Sequence, residues 1–354
     1  MFFAVAAIAL VACSKEFDTN KSASNGTAIG FGTWAEQLTK ATSNTVDGTF
    51  AVNDNFKVWG SKLVSSTPSD VFTGVTVTKT NASPETWNYS PKQYWDLSAD
   101  SYTFYAVAPA ADGYTVNTTT GQITASPTIT FTGNDSDILV AQKALVPNTG
   151  GNFNNFAKVP LIFNHAAAWV DVKVKISAGL VAAGAHVQVS SIALQNISKE
   201  GTFTVAGDYT TAPEATWTAS TPAAGTVAEY NHASGLVSGA AGLNTDLDAS
   251  GTVLISKLVV MPQDFRDAGD FIQKLDIDYN ITQNGGSANN FTPAPIALTD
   301  FDDVEDKDND DTAVTGWAPG THYTYVVTID AHTIEFSATI SAWSTEDAFH
   351  YLIN

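Results

Sequence analysis

Val170-Asp171-Val172-Lys173-Val174-Lys175-Ile176 sets an aliphatic side chain at every second position and a charge at each position between. A strand has a side-chain period of two, so the four aliphatics share one face and the charges the other. A helix would scatter the same residues around its circumference. The pattern recurs downstream. Leu275, Ile277, Tyr279 and Ile281 alternate with Asp276, Asp278 and Asn280. Tyr323, Tyr325, Val327 and Ile329 alternate with Thr324 and Thr328, and Ile334, Phe336, Ala338 and Ile340 with Thr333, Glu335, Ser337 and Thr339. The last two runs are separated by Asp330-Ala331-His332, a break of hairpin length.

Further strands are expected near 50–59, 72–78, 102–108, 128–131, 187–194 and 253–260. Helical periodicity is scarce, with one or two turns expected over Trp34–Lys40. Short strands with frequent turns and no βαβ rhythm predict an all-β chain of antiparallel sandwiches. Its 354 residues suit two such domains. The turn-rich stretch Pro147-Asn148-Thr149-Gly150-Gly151-Asn152 marks a boundary near 147–157, giving domains at 29–155 and 156–354.

Charged residues are only 15% of the chain, yet the net charge is −20, with Arg266 the single arginine. Such a chain repels phosphate backbones, so nucleic acid is not an expected partner. It also repels anionic headgroups, so membrane attachment requires a covalent anchor. Cys13 is the only cysteine, which excludes a disulfide framework. Met1–Ala12 is almost wholly apolar, too short to span a bilayer and of signal-peptide length. It lacks the basic start that such peptides normally carry. Leu10-Val11-Ala12-Cys13 resembles a bacterial lipobox, which implies cleavage after Ala12 and acylation of Cys13. The alternative is a buried structural cysteine. Each buried methylene contributes roughly 0.8 kcal/mol, so several acyl chains anchor firmly. Residues 13–28 then form a lipidated tether. Ser14-Lys15-Glu16-Phe17-Asp18 resembles the signal that sends some lipoproteins to the outer face of the outer membrane.

Several local patterns stand in a fixed order behind this lipobox. They are Phe72-Thr73-Gly74, Trp87-Asn88-Tyr89, Tyr94-Trp95-Asp96 and Tyr102-Thr103-Phe104-Tyr105-Ala106-Val107-Ala108-Pro109. Asp137-Ile138-Leu139-Val140-Ala141 and Leu161–Val170 follow, then Trp317, Gly320, Tyr323, Tyr325 and a closing Ile340-Ser341-Ala342-Trp343. Over about residues 28–345 the chain resembles the fimbrillin family, the lipoprotein type V pilins and pilus-associated adhesins of anaerobic Gram-negative bacteria. The resemblance implies two transthyretin-like β-sandwich domains in tandem. It also implies assembly with other pilus subunits by strand exchange, after a trypsin-like protease removes an N-terminal strand. Lys40, in Leu38-Thr39-Lys40-Ala41-Thr42, is the candidate cleavage site, and Ala28–Trp34 upstream of it the candidate removable strand. An uncut Lys40 would leave a tip or accessory subunit, or a lone surface adhesin with a host or bacterial ligand.

Other sites are weak. Eight acidic residues fall between Asp300 and Asp311, and Asp306, Asp308 and Asp310 have the spacing that opens a calcium loop. Position six is Asp311 rather than Gly, and position twelve is Trp317 rather than Glu, so a solvated loop is the reading favoured. Asp311-Thr312-Ala313 resembles a short O-glycosylation sequon, with Thr312 as acceptor. The six histidines have no metal-ligand spacing, and His165 reads as a packing residue at a strand end. There is no nucleophile elbow, HExxH or phosphate loop, so neither an enzyme nor a cofactor is expected. Carboxylate pairs for glycoside hydrolysis stay open, because they meet only in the fold. Trp59, Trp87, Trp95 and Trp217 are candidates for stacking on sugars, but most read as sandwich core, Trp95 and Trp343 above all, and Trp217 stays open because its surroundings are polar. A monomeric glycan or host-protein binder is the alternative function.

Overall fold

A computed structural model describes residues 27–33, 50–118, 122–125, 129–131, 137–146, 158–205, 215–219, 242–265, 272–283, 285–303, 312–330 and 334–342. The chain is all-β. The expected Val170–Ile176 strand is Ala168–Ile176, with its alternate residues buried and half-buried in turn. It is the second strand of a six-stranded sheet. That sheet runs in the order Thr252–Val260, Ala168–Ile176, Thr321–Ile329, Ile334–Ala342, Asp302–Asp303 and Thr312–Ala313.

Most neighbours are antiparallel. However, Ala168–Ile176 and Thr321–Ile329 run parallel in an unbroken register from Trp169 opposite His322 to Ile176 opposite Ile329. Against this sheet packs a second, built from Ala185–Gln195, Lys274–Gln283, Asn289–Phe291 and Ile296–Ala297. Their inner faces meet in one core containing Val172, Val189, Ile277 and Tyr325. The charged alternates lie on the opposite faces, as the period of two requires.

The N-terminal half holds another six-stranded sheet, in the order Asn164–His165, Leu139–Leu145, Ser101–Ala108, Asn55–Val64, Thr67–Ala82 and Glu85–Asn88. Ser101–Ala108 alternates at its start and is then buried at five consecutive residues. An unbroken buried run means that both faces of the sheet are covered. One face carries Phe56, Val58, Phe104 and Ala106 into an aromatic-rich core. The other sends Trp59, Tyr105, Val107 and Val140 into a third core.

That third core is roofed by a five-stranded sheet. Gln122–Ala125 and Ile129–Thr130 pair there with Glu200–Val205, whose other edge takes Ala215–Ala219, and Tyr114–Asn117 pairs with the outer edge of Gln122–Ala125. Strands from before and after residue 155 therefore share one sheet. Residues 147–157 lie outside the described set, as do Trp34–Lys40. The five-residue helix Ala178–Ala182, capped by the Ser177 hydroxyl at 3.3 Å from Leu180 N, has no counterpart in the sequence expectations. Among the described residues, no helix is long and apolar enough to cross a membrane.

Candidate functional site

Thr27-Ala28-Ile29-Gly30-Phe31-Gly32-Thr33 runs in extended form into the aromatic core of the N-terminal half. Two bulky residues alternate with small ones, so one face of the segment can enter a core. Ile29 is 1% exposed and Phe31 2%. The Phe31 ring lies among four others, with centroids 5.8 Å from Phe56, 5.5 Å from Phe72, 5.6 Å from Tyr89 and 6.2 Å from Phe104. All four contacts are edge-on or nearly so, the geometry that the ring quadrupole favours. Burial of each of these two side chains contributes roughly 1.5–3 kcal/mol.

The segment's backbone is held on two sides. Phe31–Thr33 pairs parallel with Val159–Leu161, Phe31 lying opposite Val159, and Val159 N donates to Gly30 O at 2.7 Å. On the other side Ile29 N donates to Gln93 O at 2.9 Å, and Trp95 N to Thr27 O at 3.1 Å. The Tyr89 hydroxyl donates to Ile29 O at 2.6 Å. Burial pushes the Tyr89 phenol up, so it stays a neutral donor at ordinary pH. Gly32 has a steric reason, because a Cβ there would lie 3.0 Å from the Lys158 side chain. The Lys158 ammonium reaches on to donate to Glu85 O at 2.7 Å. The segment thus sits as a plug, paired through its backbone with Val159–Leu161 in a two-stranded sheet of their own and keyed into the core by alternate side chains.

The loop that grips the plug is itself clamped. Asp96 follows Trp95, and its carboxylate accepts from Lys62 Nζ at 2.6 Å and from the Ser98 hydroxyl at 2.6 Å. The Lys62 bond first, and then Ser98, hold the Asp96 carboxyl down to about 2 from an ordinary 3.8. A depressed pKa contributes stability above the unfolded value, and that stability is lost as pH falls through the folded one. The difference in unfolding midpoint between the parent chain and Asp96→Asn should therefore be full above about pH 4 and close toward pH 2. Thermal unfolding across this range measures it. A difference that does not change with pH would show that the clamp is not electrostatic.

Cys13 and Lys40 lie outside the described residues, as do Asp306, Asp308, Asp310 and Trp343. Thr312 lies in the short outer strand Thr312–Ala313, opposite Asp303. Trp59, Trp87 and Trp95 are all buried. Trp217 is half-buried, and its Nε1 donates to Ala166 O at 2.6 Å.

His165 is buried at a strand end, with Nδ1 against the equally buried Asp137 carboxylate. The Asp137 partnership spans 28 residues and leaves no local sequence signal. His322 stacks on Trp169 at 4.2 Å and approaches Asp171 Oδ2 at 3.0 Å. Among the described residues no three histidine, cysteine or acidic side chains gather as a metal would need.

The fimbrillin-like family model matches residues 39–343. A fimbrial protein from Bacteroides vulgatus is similar in structure, with TM-score 0.59 and 19% identity over 89% of this chain and 99% of that one. A candidate cell adhesion protein from Bacteroides uniformis aligns at TM-score 0.47 and 15% identity over 89% and 98% of the two chains. The tip fimbrial protein Mfa3 from Porphyromonas gingivalis aligns at 0.38 and 10% over 82% and 95%. No curated protein matches the chain.

Proposed function

This chain belongs to the fimbrillin-like family, and from that premise we propose that it is a pilus subunit that assembles by exchange of its N-terminal plug. Its role is structural or adhesive at the cell surface rather than enzymatic. Ile29 and Phe31 carry the proposal. They fill the N-terminal core from a separate segment that pairs in parallel with only three residues. Lys40 follows shortly after the plug. Cleavage there severs residues 27–33 from the rest of the chain and lets them leave. The vacated groove then offers Phe56, Phe72, Tyr89 and Phe104 together with the freed backbone groups of Gln93, Trp95 and Val159. An incoming strand with two bulky alternate residues satisfies both sets at once.

Acylation of Cys13 would hold the precursor at the outer membrane until the cut, and the cut would release it from that anchor. The partners are other subunits of the same or related type. Trypsin treatment of the parent chain and of Lys40→Gln, followed by unheated gel electrophoresis, tests the reading. The parent should give a ladder of heat-labile oligomers, and Lys40→Gln should remain monomeric. Equal ladders from both would remove Lys40 from the scheme, and no ladder from either would leave a tip subunit or a free-standing surface binder.

A further inference from the structure

A second concavity lies apart from the groove, where the five-stranded sheet meets the C-terminal sandwich. Its volume is about 520 Å³, within the range of roughly 300–1,000 Å³ usual for small-ligand sites. One wall is Ala215, Thr216 and Trp217 from the edge of the five-stranded sheet. Another part of the lining is a short ribbon in which Gln263–Asp264 pairs antiparallel with Gly316–Trp317, and Tyr323 and Ile340 line it as well.

The walls are rigid. Gln263 Oε1 accepts from Ser198 N at 3.0 Å, and its Nε2 donates to the carbonyls of Ser198 and Met261 at 3.0 Å each. Its amide is thereby committed to shaping the wall. Trp317 Nε1 is committed to Tyr325 OH at 3.0 Å, and Ala318 N donates to the Tyr323 hydroxyl at 2.8 Å. Trp217 is fixed by its bond to Ala166 and by packing on Phe203 and Phe131, with centroids at 4.9 and 5.5 Å. Part of its indole remains exposed to the cavity.

The exposed residues Thr315 and Asp264 line the same cavity as that indole, whereas Thr216, the strand neighbour of Trp217, turns its side chain to the other face of the sheet. A hydroxyl and a carboxylate in a cavity lined by an aromatic ring match one ligand chemistry. A pyranose has an apolar C–H face that lies on a π system and a hydroxyl rim that donates to carboxylate and hydroxyl oxygens. We propose that this junction cavity, built on Trp217, binds a neutral mono- or disaccharide. Acidic sugars are disfavoured by Asp264 at the mouth and by the chain's net charge of −20. The site shares no residue with the plug, so it stands or falls independently of strand exchange.

The test is saturation-transfer NMR on the full chain with glucose, galactose, mannose, N-acetylglucosamine, lactose and cellobiose, and with sialic acid as the charged control. At least one neutral sugar should bind saturably, and sialic acid should not. Trp217→Ala should weaken that binding about tenfold or more. Because Trp217 also packs on Phe203, a second variant is needed. Thr315→Arg is exposed, leaves the aromatic packing alone and should block binding with thermal unfolding unchanged. No saturable neutral sugar, or binding that survives Thr315→Arg, would overturn the proposal.

Discussion

Phe31→Ala is expected to cost the fold about 3–5 kcal/mol, the usual penalty for deleting a fully buried ring. The magnitude is large for one residue, because whole domains are stable by only about 5–15 kcal/mol. Phe31 touches four rings that come from three different strands and a loop, at Phe56, Phe72, Phe104 and Tyr89. The gap cannot close by the shift of one neighbour, so the transfer loss and the cavity term add. Phe31→Leu keeps part of the volume and should cost less, about 1–2 kcal/mol. Denaturant unfolding of the three proteins measures the series. A Phe31→Ala loss under about 1 kcal/mol would mean that the plug does not key the core, and strand exchange would lose its physical basis.

Phe203→Ala should cost a similar amount, about 3–5 kcal/mol, but for a different architectural reason. Phe203 is fully buried in the third core, opposite Trp217 in register, with Tyr114 at 5.9 Å. Its strand pairs with Gln122–Ala125 from the first half of the chain, Thr204 facing Thr124 and Val205 facing Ile123. Loss of the ring therefore weakens the seam between the halves as well as the local sheet. Calorimetry should show one cooperative transition moved down. Two transitions, with the N-terminal one unmoved, would mean that the halves fold independently despite sharing a sheet.

The strands were legible because their period of two records burial directly. Val170–Ile176, Leu275–Ile281 and the Tyr323–Ile340 pair fall within the observed Ala168–Ile176, Lys274–Gln283, Thr321–Ile329 and Ile334–Ala342. Pairing was less legible. Nothing in an alternating run says that Val172 will lie beside Tyr325 in parallel, since that partner is chosen by the whole core. The sheet shared across residue 155 also uses Tyr114–Asn117, Gln122–Ala125 and Glu200–Val205, short strands that no alternating run marks.

The plug was half legible. Ala28–Trp34 stood out as partly apolar ahead of Lys40, but its depth depends on rings up to 73 residues away, such as Phe104. Trp217 was ambiguous because its surroundings are threonines. Only the fold shows that it packs on Phe203 and Phe131 and also lines a cavity.

The central claim is that residues 27–33 leave and another strand takes their place. Native mass spectrometry of the trypsin-trimmed chain asks this directly. The account predicts assemblies in whole multiples of a subunit that begins at Ala41, with the peptide ending at Lys40 absent from every one. A trimmed chain that stays monomeric with that peptide still bound would contradict it.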